Sequence, residues 1–95
     1  SQQKVLLARW LVAQCEILIV DEPTRGIDVV AKQEIYQLMH ELAAKGLAMI
    51  VVSSDLQEVL GISHRIAVMH EGQMMGILEA KNTTQAELMS LALGQ

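Results

Sequence analysis

Phenylalanine is absent from these 95 residues, and proline, cysteine, tryptophan and tyrosine occur once each. Proteins that hold nucleic acid need a basic face, and single-strand binders add stacking rings. Here the net charge is −4 and only Trp10 and Tyr36 carry rings, so no nucleic acid is expected as a partner. A lone cysteine, Cys15, forbids an internal disulfide framework and offers no thiolate cluster to a metal. It stands just before an apolar run and reads as a half-buried filler. No apolar run nears the roughly 18 residues of a membrane span, and no signal-peptide pattern opens the chain. These absences point to a soluble, cytosolic chain.

What the chain does have is apolar surface. It is 52% hydrophobic with a mean hydropathy of +0.32. An interior this small cannot take in that much. Either a partner covers the excess or the chain is part of a larger domain. We expect one partial domain over residues 1–95.

Periodicity supplies the elements. "KVLLARWLVAQ" is apolar nearly all round and predicts a largely buried helix over residues 3–13. "ILIV" is short, continuous and β-branched, the pattern of a strand covered on both faces in a parallel sheet. "PTRG" is turn chemistry. Asp28 then caps a helix whose apolar Ile35, Leu38, Met39 and Leu42 recur at three and four, and Gly46 stops it. "LAMIVV", residues 47–52, is a second buried strand. Asp55 and Glu58 form a capping box for a short helix to about Leu60. "RIAVM" is a third strand, and "HEGQ" turns it into "MMGIL" as a hairpin. Thr84 and Glu87 cap a last helix that carries Leu88, Met89, Leu91 and Ala92 and to which we assign only packing. Such alternation predicts a three-layer α/β domain with a mostly parallel sheet, a C-terminal β-hairpin and a helix.

One junction asks for a reason beyond folding. In "EILIVDEPTRGID" a greasy strand ends on Asp21 and Glu22. Open parallel sheets bind ligands beyond the carboxyl ends of their strands. The second strand would deliver Ser53 and Ser54 to the same edge. Adjacent carboxylates leaving a strand diverge, so one can orient a hydrated Mg²⁺ while the other handles an attacking water. A pair of solvated acids at a strand end is the plainer reading of the same residues.

In context, "QQKVLLARWLVAQ", "ILIVDEPTRGID" and "IVVSSDLQEV" together resemble the ATP-binding cassette of membrane transporters, the ABC ATPases. "ILIVDE" looks like the Walker B strand, "RGID" like the D-loop, and "VVSSDLQEV" like the switch-histidine segment. "RIAVMHEGQMMG" resembles the strand and hairpin that follow, so the likeness runs from Gln2 to about Gly76. "DEPTRGIDV" and "SSDLQEV" are closer still to the second cassette of the two-cassette ATPases that energise monosaccharide import, of the ribose, galactose, xylose and arabinose type.

That resemblance implies a P-loop NTPase-like fold and a set of roles. Asp21 would be the Walker B acid, reaching Mg²⁺ through water, and Glu22 the general base that polarises the attacking water. Asp28 would be the D-loop acid, besides its local role as a helix cap. Gln2 and Gln3 would follow the signature loop, whose last residue falls at Ser1. Ser54 stands where active cassettes carry a histidine; being shorter and never cationic, it stabilises less of the charge developing on phosphate. ATP and Mg²⁺ would serve the parent protein, whose partners would be the other cassette, membrane permease subunits and, indirectly, a periplasmic sugar-binding protein. The parent would sit peripherally on the cytoplasmic face of the inner membrane.

The glycine-rich phosphate loop "GxxxxGK[ST]" is nowhere in the chain. The chain alone is therefore expected to bind no cofactor and to hydrolyse nothing. In related folds the phosphate-loop strand lies between residues 47–52 and 65–69. Its absence predicts a gap or a direct pairing there, with open edges and self-association.

Two other classes compete. A DNA-repair or chromosome-organising ATPase shares the Walker B and D-loop patterns, but the acidic balance and "TRGID" weigh against it. A phospho-receiver domain needs acids at an earlier strand end and a lysine where Met69-His70 stands. His40 reads as solvated, and His64 and His70 lack a second ligand at metal spacing. Arg25 and Arg65 read as surface or domain-contact charges. The methionines read as core fillers, with Met74 and Met75 exposed in the hairpin.

Overall fold

Strand β1, Ile17–Asp21, and strand β2, Ala48–Val52, pair in parallel, Ile17 opposite Ala48 and Asp21 opposite Val52. These strands belong to a computed structural model that describes residue 9 and residues 15–95. Of the expected helix over residues 3–13 only Arg9 is described, helical and exposed; the rest, with Gln2 and Gln3, lies outside the described residues. The chain divides after Ser53 into two compact units.

In the first unit a helix, α1, Val29–Ala44, crosses over between the paired strands. Its start is set by Asp28, whose Oδ1 accepts from the Ala31 amide at 2.9 Å. Its end is set by Gly46, at φ +98°, a left-handed position that side chains other than glycine's rarely adopt. Ile35, Met39 and Leu42 form its buried stripe, and Leu18 is the buried residue of β1. A βαβ crossover lays its helix on one face of the sheet. The burial of Leu18 identifies that face as the one shared with Val20, Met49 and Val51.

The opposite face corrects an expectation. Continuous apolar strands predict cover on both sides, yet Ile17, Ile19, Ile50 and Val52 are each about half to two-thirds exposed (63%, 65%, 54% and 49%). Hydrophobicity tells that a face will be covered and not by what. Among the described residues one helix serves this sheet, and it can occupy only one side.

The second unit is an antiparallel hairpin with helices. Strand β3, Arg65–His70, pairs with β4, Gln73–Glu79. Glu71 and Gly72 both have positive φ, +48° and +80°, as a two-residue mirror-image turn requires. The register shifts between Val68 and Met69, because Val68 faces Gly76 while Met69 faces Met74. Met75 is the extra residue of that bulge. It is half-buried against the core rather than exposed, whereas Met74 is exposed as expected.

Helix α2, Leu56–Ile62, precedes the hairpin, and a 3-10 turn, Ala80–Asn82, which periodicity does not reveal, leads from it to α3, Gln85–Ala92. The caps are those read from sequence. Asp55 Oδ1 accepts from the Glu58 amide at 3.1 Å and Thr84 Oγ1 from the Glu87 amide at 3.2 Å. Ile66, Val68, Ala80 and Leu88 make the core. His70 does more than flank its strand: Nδ1 lies 2.8 Å from the Ala92 carbonyl oxygen at the end of α3. A carbonyl only accepts, so Nδ1 carries the proton. Gly94 must be glycine there, since a Cβ would come within 2.7 Å of His70 Nε2.

The described strands thus form two separate two-stranded sheets, β1–β2 and β3–β4, with open edges. Open edges beside an uncovered apolar face invite pairing with another chain. Light scattering on the purified 95-residue chain is expected to give a dimer or larger species. A clean monomer with the sheet signature intact would contradict this.

Candidate functional site

Asp21 is the last residue of β1 and Glu22 the first beyond it, so the ladder itself carries both acids to the sheet edge. Alternation turns Asp21 to the open face, with Ile17 and Ile19, where it is exposed. Glu22 continues the pairing by one bond, its amide donating to the Val52 carbonyl at 2.7 Å. Ser53 follows Val52 and is half-buried at the same edge. Asp21, Glu22 and Ser53 therefore share the tip of the parallel pair, as the sequence predicts.

Glu22 sits in an uncommon backbone state, φ +48°. A residue with a Cβ pays roughly 1–2 kcal/mol to stay in that region. A glycine would relieve the strain, but it would also remove the carboxylate. The turn that follows is fitted to hold this geometry. The Arg25 amide donates to the Glu22 carbonyl at 3.3 Å, with Pro23 at the position where its fixed φ is favoured. The Ile27 amide then donates to the Thr24 carbonyl at 3.2 Å, with Gly26 at φ +72° in the left-handed slot of that second turn. Pro23 and Thr24 are buried, so the turn is anchored and not a loose loop.

Sequence reasoning missed one neighbour of Glu22. Arg25 Nη2 lies 3.3 Å from Glu22 Oε1, with the arginine side chain 72% exposed and the glutamate 21%. The three-residue spacing was the available signal, and it needs the turn geometry to become a contact. Asp28 is exposed at the head of α1 and is engaged by its capping bond to Ala31. Ser54 is exposed and opens the second unit. Among the described residues His40 and His64 are exposed and no group of three or more acids, histidines or cysteines could hold a metal alone. No helix among them is long and apolar enough to cross a membrane.

Among the described residues Asp21 is an exposed carboxylate at a strand tip, and no cluster there could hold a metal ion alone. Mg²⁺ dehydrates reluctantly and is usually held by one or two carboxylates with water and phosphate oxygens completing its shell. Asp21 fits that donor set.

No protein-family model matches the chain. Curated proteins do. It is 61% identical over 94 residues to a ribose/galactose/methyl galactoside import ATP-binding protein of Pseudomonas fluorescens. It is 57% identical, again over 94 residues, to a ribose import ATP-binding protein of Lactococcus lactis. Each match takes in 99% of this chain but only 18% and 19% of the relative, so the chain spans about a fifth of the length of these proteins. Among solved structures, an ATP-binding cassette of an ABC transporter superposes with a TM-score of 0.80 at 22% identity, covering 97% of this chain and 38% of the cassette. An ABC transporter of metal-chelate type, in an inward-facing conformation, also gives 0.80 at 20% identity, over 97% and 37%. At that identity the likeness speaks for the fold: α/β, P-loop NTPase-like and partial. The chain thus has the fold of part of an ATP-binding cassette, carries two acids at the tip of its strand, and along 99% of its own length is similar to a stretch of the ribose- and galactose-type import ATP-binding proteins.

Proposed function

We propose that this chain is the C-terminal part of the second cassette of a monosaccharide importer, lacking the phosphate-loop half, where it contributes the acid edge of an ATP site. The observation that carries the reading is the placement of Asp21 and Glu22 at one strand tip, tied to Ser53 through the Glu22–Val52 hydrogen bond. ATP with Mg²⁺ supplies the transferable phosphoryl group and the charge that neutralises it. Asp21 would hold the metal ion through a water, and Glu22 would accept a hydrogen bond from the attacking water and take its proton. Asp28 is offered to the opposite cassette while its own side chain caps α1. Ser54 takes the switch position and, as a neutral hydroxyl, leaves the site weak.

The parent protein binds permease subunits at the cytoplasmic face of the membrane and drives sugar uptake; a periplasmic binding protein acts through the permease. The DNA-repair reading finds no support in the relatives, which are named for sugar import. ATP titration by calorimetry tests the assignment. The full-length protein is expected to bind MgATP, and the 95-residue chain, which has no glycine-rich phosphate loop, is expected to bind none. Loss of one of the two MgATP sites on Asp21→Asn at full length supports the metal role. An affinity untouched by that change would remove it.

A further inference from the structure

Glu22 is fixed by its main chain before its side chain has any choice. Its amide is held by the Val52 carbonyl, its carbonyl accepts from the Arg25 amide, and its φ is +48°. From that fixed base the side chain reaches back over the turn, where Arg25 Nη2 meets Oε1 at 3.3 Å. The turn that aims the base also supplies the cation that engages it.

We propose that Arg25 is a positioning residue that restrains Glu22, holding its carboxylate over the turn for part of the time. The proposal rests on the reading of Glu22 as the general base. A guanidinium donates from a planar fork and stays charged at any working pH, so it can hold a carboxylate but cannot take a proton in its place. An oxygen engaged by Arg25 is one oxygen fewer for an attacking water. Because the arginine is largely exposed, water competes for both groups and the restraint is shallow, worth a factor of roughly 1.5–5 in the equilibrium between held and free glutamate. Such a restraint persists with nucleotide bound and slows hydrolysis by the share of Glu22 that it holds. Pro23 and Thr24, both buried, keep the turn in place, so Arg25 can change without moving the backbone beneath it.

The test uses the full-length protein with the catalytic acid of the other cassette changed to glutamine, so that this site alone turns over. Arg25→Gln removes the charge and keeps the length; Arg25→Lys keeps the charge. The first measurement needs no nucleotide: the carboxyl carbon resonance of Glu22 in glutamate-labelled protein, identified as the signal lost in Glu22→Gln. It is expected to move in Arg25→Gln and to stay near its wild-type position in Arg25→Lys, with the difference shrinking as salt rises. The second is steady-state hydrolysis: kcat is expected to rise roughly two- to fivefold in Arg25→Gln with KM for ATP unchanged. An arginine that served only the stability of the turn would leave the resonance unmoved or lower kcat. Either result overturns the restraint. Failure of the wild-type protein to bind MgATP would instead sink the reading of the site, and the resonance would still report the contact by itself.

Discussion

Glu22→Gln in the full-length protein is expected to leave most of the steady-state ATP turnover in place, while the equivalent change in the other cassette lowers it roughly a hundredfold or more. The asymmetry follows from Ser54. A histidine at that position bridges the γ-phosphate and the catalytic acid, and as a cation it meets charge that develops during transfer. A serine hydroxyl reaches less far and carries no charge. On the proposed assignment the acid is retained at its strand tip, but the residue at the switch position in the sequence would be a weak partner for it. Phosphate release from the two single variants and the double variant measures the effect. Equal losses from the two single changes would refute the asymmetry and make the Ser54 site a full contributor.

The second large effect concerns stability. Leu88→Ala is expected to destabilise the second unit by about 3–4 kcal/mol, within the range for truncating a buried leucine. Leu88 is 1% exposed and shares a core with Ile66, Val68 and Ala80. So few residues make up that core that the space left by the lost carbons has little around it to collapse. Met89, its neighbour on α3, is 45% exposed, and Met89→Ala should cost no more than about 0.5 kcal/mol. Denaturant midpoints of the two variants decide it. Comparable losses would mean that α3 does not pack as described.

The parts of the fold that could be read from sequence are those whose cause is local. Asp28, Asp55 and Thr84 each cap a helix through a bond three residues on, so the pattern and the contact are nearly the same statement. Gly46 and the Glu71-Gly72 turn are legible for the same reason. The open face of β1–β2 was not, because an apolar strand announces a need for cover and nothing about its source. The bulge at Met75 has no clear signature in the continuous run Met74-Met75-Gly76-Ile77-Leu78, where no apolar-polar alternation exists to be broken. At the site, the strand end fixed Asp21 and Glu22 in advance. The pairing of Glu22 with Arg25 was hidden, because it depends on a left-handed backbone at a residue type that seldom adopts one.

Parallel pairing has one more consequence for the acid edge. Each side chain of β1 is assigned its side of the sheet by the rungs that join Ile17 through Asp21 to Ala48 through Val52. Sliding β1 by a single residue would carry Asp21 across to the helix-covered side and bring Leu18 out into water. The direction of the Asp21 carboxylate is therefore stored in five backbone partnerships, and substitutions deep in β2, far from the strand tip, can misdirect it.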